Sequence, residues 1–101
     1  PVTGVQTCAL PIFSVVANIM PKAVANLTDA FFAGNLEEAR RLHLHLLKIS
    51  NAMFIETNPV PVKAAAGLMG LCDGGLRLPL VAMGDANLKR LQTVMGTYGL
   101  L

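Results

Sequence analysis

Three observations predict a mainly α chain of one short strand followed by about four helices. A short β-branched run, Phe13-Ser14-Val15-Val16-Ala17, opens the informative part of the sequence. After it, apolar residues recur at three-to-four spacing in separate segments, the mark of amphipathic helices. Prolines and glycines fall between those segments at the positions where helices start and stop.

Composition narrows the class further. The chain has 101 residues, of which 14% are charged and 53% hydrophobic, against roughly 25% charged in ordinary soluble domains. Such a chain carries more apolar surface than its own core needs, so part of that surface is expected to lie against something else. The net charge of +2 comes from eight basic residues spread along the chain, which gives neither a basic stripe for nucleic acid nor an acidic tail. Two cysteines define no disulfide framework.

The uncharged opening, Pro1 to Met20, is not read as a targeting or membrane segment. No Lys or Arg precedes its apolar run, Thr3, Gln6, Thr7 and Pro11 interrupt it, and it falls short of the ~20 apolar residues of a membrane span. Val2 to Ile12, VTGVQTCALPI, reads codon by codon as a translated sequencing adapter. Residues 1–12 are therefore expected to be an artefact, with the gene truncated on its 5′ side, and Cys8 carries no information on redox compartment.

Each later element follows from its residues. Phe13 to Ala17 suits a strand in length and content, but an unpaired strand leaves its backbone groups without partners, so its neighbours are expected to be missing. Pro21 suits a first helical turn. Ala23, Val24, Leu27, Ala30 and Phe31 mark one helix face, and Gly34 supplies the stop. Asn35 is the expected cap of the next helix, with Glu37 and Glu38 where the helix dipole favours anions. Leu36, Ala39, Leu42, Leu46, Ile49 and Met53 form its stripe, Leu44 and Leu47 widen that face, and Glu37 with Arg41 makes an i, i+4 pair. The prolines of Glu56-Thr57-Asn58-Pro59-Val60-Pro61 break helical geometry. Pro61 opens a third helix from Val62 to about Met69, rich in small residues (Ala64, Ala65, Ala66, Gly67) and ended by Gly70. Asp73-Gly74-Gly75 is a turn and Leu76 to Leu80 an extended connector. Asp85 to about Gly96 is the last helix, capped by Gly84 or Asp85, with Leu88, Leu91, Val94 and Met95 inward.

Candidates for chemistry are few. His43 and His45 stand two residues apart, about 200° around a helix, so they cannot share a metal. Asp29, Glu37, Glu38, Glu56, Asp73 and Asp85 fall at helix starts, turns and exposed faces rather than as an acid–base pair. Cys72, among Leu68, Met69 and Leu71, reads as a buried free thiol. Lys63 follows a rigid Pro-Val-Pro lead-in and could have its amine activated by partial burial, but pairing with Glu56 or reaching solvent is the simpler reading. No catalytic, cofactor-binding or metal-ligating residue is assigned, and no cofactor is called for.

Taken together, SVVAN, FFAGNLEEARRLH, AMFIETNPVPVKAA, GLRLPL and the closing YGLL resemble the C-terminal third of the dihydrodipicolinate synthase family. The most specific parts are Glu56 to Lys63 and Leu76 to Leu80. Pro11 and Ile12 stand where the family often has Gly-Val, and Val16 replaces a threonine. The resemblance implies the C-terminal part of a (β/α)8 barrel with a helical subdomain. Residues 13–34 would be the last barrel strand and its helix, and residues 35–101 the helical subdomain, which explains both the orphan strand and the surplus apolar surface. It also implies a cytoplasmic enzyme of lysine and diaminopimelate biosynthesis. There, a lysine forms a Schiff base with pyruvate, and the enamine attacks aspartate semialdehyde while tyrosine and threonine groups relay protons. The family's catalytic positions and its lysine-feedback site lie upstream of Phe13, so none transfers to Lys22, Lys48, Lys63, Lys89 or Tyr98. Ser14 to Asn18 would close the barrel. Asn58, Pro59 and Pro61 would fix a turn, Arg77 and Pro79 would anchor the connector, and the helices would support a homotetramer. No nucleic acid or membrane partner is implied. Two other readings stay open: a related pyruvate-dependent class I aldolase of the N-acetylneuraminate lyase type, and a free-standing helical interaction module. On the fragment reading, isolated residues 13–101 are inactive and aggregate or form a molten, dye-binding state.

Overall fold

The computed structural model describes residues 14–101. Within them lie four α-helices, α1 (Pro21–Phe32), α2 (Leu36–Ala52), α3 (Val60–Leu68) and α4 (Asp85–Thr97), preceded by a single 3₁₀ turn at Val16–Asn18. The mainly α class is as read from the sequence, with one correction: residues 14–17 do not form a strand, while Phe13 lies outside the described residues. With no neighbouring strand to pair with, the backbone satisfies itself locally. The N–H groups of Asn18 and Ile19 donate to the carbonyls of Val15 and Val16, each at 3.1 Å, and the Ala17 N–H donates to Ser14 Oγ at 3.3 Å. Val16 and Ile19 are buried in the core by this turn.

α1 begins at Pro21, whose missing N–H costs nothing in a first turn. It ends where Gly34 takes φ +81° and the Asn35 N–H reaches back to the Ala30 carbonyl at 2.9 Å, a left-handed cap that suits glycine. Ala23, Val24 and Leu27 pack against the core at half burial. Phe31, expected on the inner face, is 55% exposed, and Phe32 is 83% exposed.

Asn35 caps α2 as expected, its Oδ1 accepting the Glu38 N–H at 3.2 Å. Ala39, Leu46, Ile49 and Ala52 are buried along one side, with Met53 just beyond. Leu36, Leu44 and Leu47 stay exposed. The expected Glu37–Arg41 pair is corrected to Glu38–Arg41, one residue closer, which leaves Glu37 in solvent.

α3 starts at Val60, two residues earlier than the prolines suggested, because the Val60 N–H bonds the Thr57 carbonyl at 2.9 Å and Pro61 falls within the first turn. Asn58-Pro59 and Leu78-Pro79 are cis. Gly67 packs closely on the turn after its helix: a Cβ there would stand 3.2 Å from Gly74 Cα, tighter than ordinary contact. Gly70, at φ +76°, ends the turn after the helix. Cys72 follows that break and is exposed rather than buried, since the chain has left the helix whose apolar side suggested burial.

α4 brings Leu91 and Met95 against Ile49 and Met53 of the α2 region, all four with essentially no exposed surface. α4 packs on both α2 and α3, and α1 packs on α2 and on the 3₁₀ turn. The core therefore sits among α2, α3 and α4, with α1 at one side.

Candidate functional site

The polar side chains that the sequence singled out are not brought together. His43 and His45 are both exposed, and His45 lies edge-on to the Tyr98 ring at 5.2 Å between centroids. Among the described residues no cluster of three or more His, Cys, Asp or Glu side chains could hold a metal ion. Lys63 is half-buried at the start of α3. Glu56 does not pair with it. Glu56 Oε2 instead accepts the Gly84 N–H at 3.0 Å and Asn87 Nδ2 at 2.9 Å, so the carboxylate ties the turn after α2 to the first turn of α4, where it also meets the positive end of the helix dipole. Spacing alone could not reveal this bond, which spans 28 residues.

The described residues include no buried polar or charged side chain, and no buried side-chain nitrogen or oxygen lacks a hydrogen-bond partner. A charge-bearing catalytic constellation needs desolvated groups held at fixed distance. Here the titratable groups are at or near the surface. Glu38 is the clearest electrostatic feature: the Arg41 guanidinium, bonded through Nε and through Nη2 at 3.0 Å, holds its carboxyl below the usual carboxylate range. This is a surface pair and belongs to helix stability.

One surface feature among the described residues is apolar. Leu27, Phe31 and Phe32 of α1, together with Leu36, Ala39 and His43 of α2, border an open groove of about 470 Å³. Phe31 and Phe32 stack edge to face, with centroids 5.5 Å apart. Exposed rings and leucines thus gather as an apolar surface on one side of the helix pair. The signal was available in the sequence, since adjacent phenylalanines cannot share one helix face.

A sequence model described as the Dihydrodipicolinate synthetase family matches residues 4–97. The chain belongs to that family. Over 93 residues it is 66% identical to the 4-hydroxy-tetrahydrodipicolinate synthase of Pelobacter propionicus, covering 92% of this chain and 32% of that protein. A solved structure described as the first monomeric dihydrodipicolinate synthase variant superposes with a TM-score of 0.86 at 43% identity, covering 89% of this chain and 30% of the other. The Acinetobacter baumannii dihydrodipicolinate synthase, described as complexed with pyruvate, superposes at 0.84 with 35% identity, covering 88% and 31%. The chain thus spans about a third of the length of these synthases, and it corresponds to their C-terminal third. No helix among the described residues is long and apolar enough to cross a membrane.

Proposed function

We propose that this chain is the C-terminal helical part of a 4-hydroxy-tetrahydrodipicolinate synthase and acts as a scaffold for catalytic residues carried elsewhere in the full-length protein. The observation that carries this reading is the 66% identity to the Pelobacter propionicus synthase over 93 residues. In the complete enzyme a lysine amine attacks the pyruvate ketone, water leaves to give an imine, and loss of a methyl proton gives the enamine. The enamine carbon then adds to the aldehyde of aspartate semialdehyde, whose oxygen takes up a proton. None of these steps is assigned to a residue of this chain.

Its contribution is mechanical. The groove bordered by Phe31, Phe32 and Leu36 would lie against earlier barrel helices and bury the apolar surface left exposed here. The full-length enzyme is a cytoplasmic homo-oligomer on this reading, in keeping with a relative being singled out as monomeric. Residues 13–34 would be the last barrel strand and helix, and 35–101 the helical subdomain. In the complete barrel, neighbouring strands would draw the segment at 13–17 into extended pairing. Residues 1–12 are proposed as foreign leader even though the family match begins at residue 4. An overlapping DNA read that continues a barrel-encoding frame through that stretch supports native sequence there, and a break in homology at Phe13 supports the leader.

The function is tested by co-expressing this chain with the preceding two-thirds of the Pelobacter propionicus synthase. Pyruvate-dependent consumption of aspartate semialdehyde is expected only when both pieces are present. Borohydride should trap pyruvate on the preceding piece and on none of Lys22, Lys48, Lys63 or Lys89. A trapped adduct on this chain alone overturns the scaffold reading.

A further inference from the structure

Beyond that groove, other hollows lie among the described residues, two of them against α4. One, of about 290 Å³ between α3, the connector and α4, is lined by Val60, Leu68, Leu76, Met83 and Leu88 with glycines and alanines, and offers no polar group to orient a ligand. The other lies between α2 and α4 and has a different chemistry.

Lys48, Asn51, Ala52 and Ile55 follow one another at three-to-four spacing and so share one face at the end of α2, while Arg90 and Val94 are one turn apart on α4. These six residues line a hollow of about 200 Å³, room for roughly six or seven waters at liquid density. Its floor is apolar: Ala52 is buried and Ile55 and Val94 are half-buried. Its rim carries two cations from different helices, and no carboxylate is among the lining residues. The only ion pair among the described residues joins Arg41 to Glu38, so neither Lys48 nor Arg90 has a carboxylate partner. Glu56, the acidic residue nearest Lys48 in sequence, has Oε2 engaged by Gly84 and Asn87, and Asp85, nearest Arg90 in sequence, is not among the lining residues. Two like charges that border an apolar floor from different helices are best compensated by an anion with a hydrocarbon body: the guanidinium and ammonium would meet the carboxylate, the Asn51 amide would add a donor, and the aliphatic chain would cover Ala52 and Val94.

We propose that this hollow binds a small organic anion, a carboxylate on a short aliphatic chain. All its lining residues belong to this chain.

The test uses pentanoate as probe and pentanamide as its uncharged control on this chain assembled with the preceding two-thirds of the Pelobacter propionicus synthase. Acetylation of each lysine amine is followed by mass spectrometry at micromolar protein. Pentanoate at millimolar concentration is expected to slow acetylation of Lys48 several-fold while leaving Lys22 and Lys89 unchanged, and pentanamide is expected to have no effect. Arg90→Gln, a change at an exposed position, should abolish that protection. Equal Lys48 rates with and without pentanoate, equal protection by pentanamide, or protection that survives Arg90→Gln each overturn the site. Assembly and aspartate semialdehyde turnover are measured on the same sample, so a complex that assembles and turns over without protecting Lys48 overturns the site alone.

Discussion

The Tyr98 hydroxyl, carried just past the end of α4, donates to the His45 backbone carbonyl in the middle of α2. It also accepts the Ile49 N–H at 3.4 Å. One side chain therefore inserts into a helical carbonyl-to-amide pair and fastens the C-terminal end of α4 to α2, with the His45 ring against its edge. Tyr98→Phe keeps the ring packing and removes the hydroxyl, so the expected loss is about 1 kcal/mol, the usual net value of one such bond. Tyr98→Ala should cost more, because ring burial goes as well. Urea titration of the two variants, each assembled with the preceding synthase piece, checks the order, and a Tyr98→Phe protein as destabilised as Tyr98→Ala contradicts the role of the ring.

Glu56 performs the matching task at the other end of α4. Removing its carboxylate by Glu56→Ala leaves the Gly84 N–H and the Asn87 amide without their partner, and a loss of roughly 1–2 kcal/mol is expected. Glu56→Gln retains an acceptor oxygen and should recover part of it. The readout is amide exchange in the first turn of α4, which should accelerate in Glu56→Ala while exchange at the centre of α2 changes only by the global loss.

These two ties show where sequence reading stops. Helix starts and stops were legible because they depend on local chemistry: Asn35 as a cap, Pro21 and Pro61 in first turns, Gly34 and Gly70 as left-handed ends. The inward stripe from Ala39 through Met53 was legible for the same reason, periodicity. The strand at 13–17 was not, since pairing is a property of neighbours, and the Val15 and Val16 carbonyls here accept from Asn18 and Ile19 instead. Cys72 and Phe31 were misplaced because burial was inferred from nearby apolar residues and not from the course of the backbone. Glu56 and Tyr98 act across 28 to 53 residues, beyond any spacing rule.

The Glu38–Arg41 pair gives a pH signature of known sign. Arg41 lowers the carboxyl's affinity for its proton in the folded chain, so the native state favours the ionised form more than the unfolded state does. The stabilisation is complete above the ordinary carboxylate range and is lost as the pH falls through the lowered folded-state value. The pair lies at the surface, so the effect is small and should weaken further in high salt. Glu38→Gln is expected to flatten this part of the acid limb of the stability curve and to leave stability near neutral pH little changed. An unaltered acid limb contradicts the pairing.

Leu91 and Phe32 make opposite predictions from similar hydrophobicity. Leu91 has no exposed surface and sits where α4 meets the core, whereas Phe32 is 83% exposed. Leu91→Ala removes buried methyl groups from a site enclosed by helices, so a loss of about 3 kcal/mol is expected, a large share of what a domain of this size possesses. Phe32→Ser removes almost no native contact and should change unfolding by less than about 0.5 kcal/mol, as surface substitutions do. Its effect should appear in association instead: with Phe31→Ser it removes both rings bordering the open groove, so the isolated chain should bind less hydrophobic dye and aggregate more slowly. In the co-expressed assembly the same double substitution should weaken capture of the preceding barrel piece, because those rings are the surface expected to meet it. A double variant that still assembles at wild-type affinity assigns the groove no part in that interface.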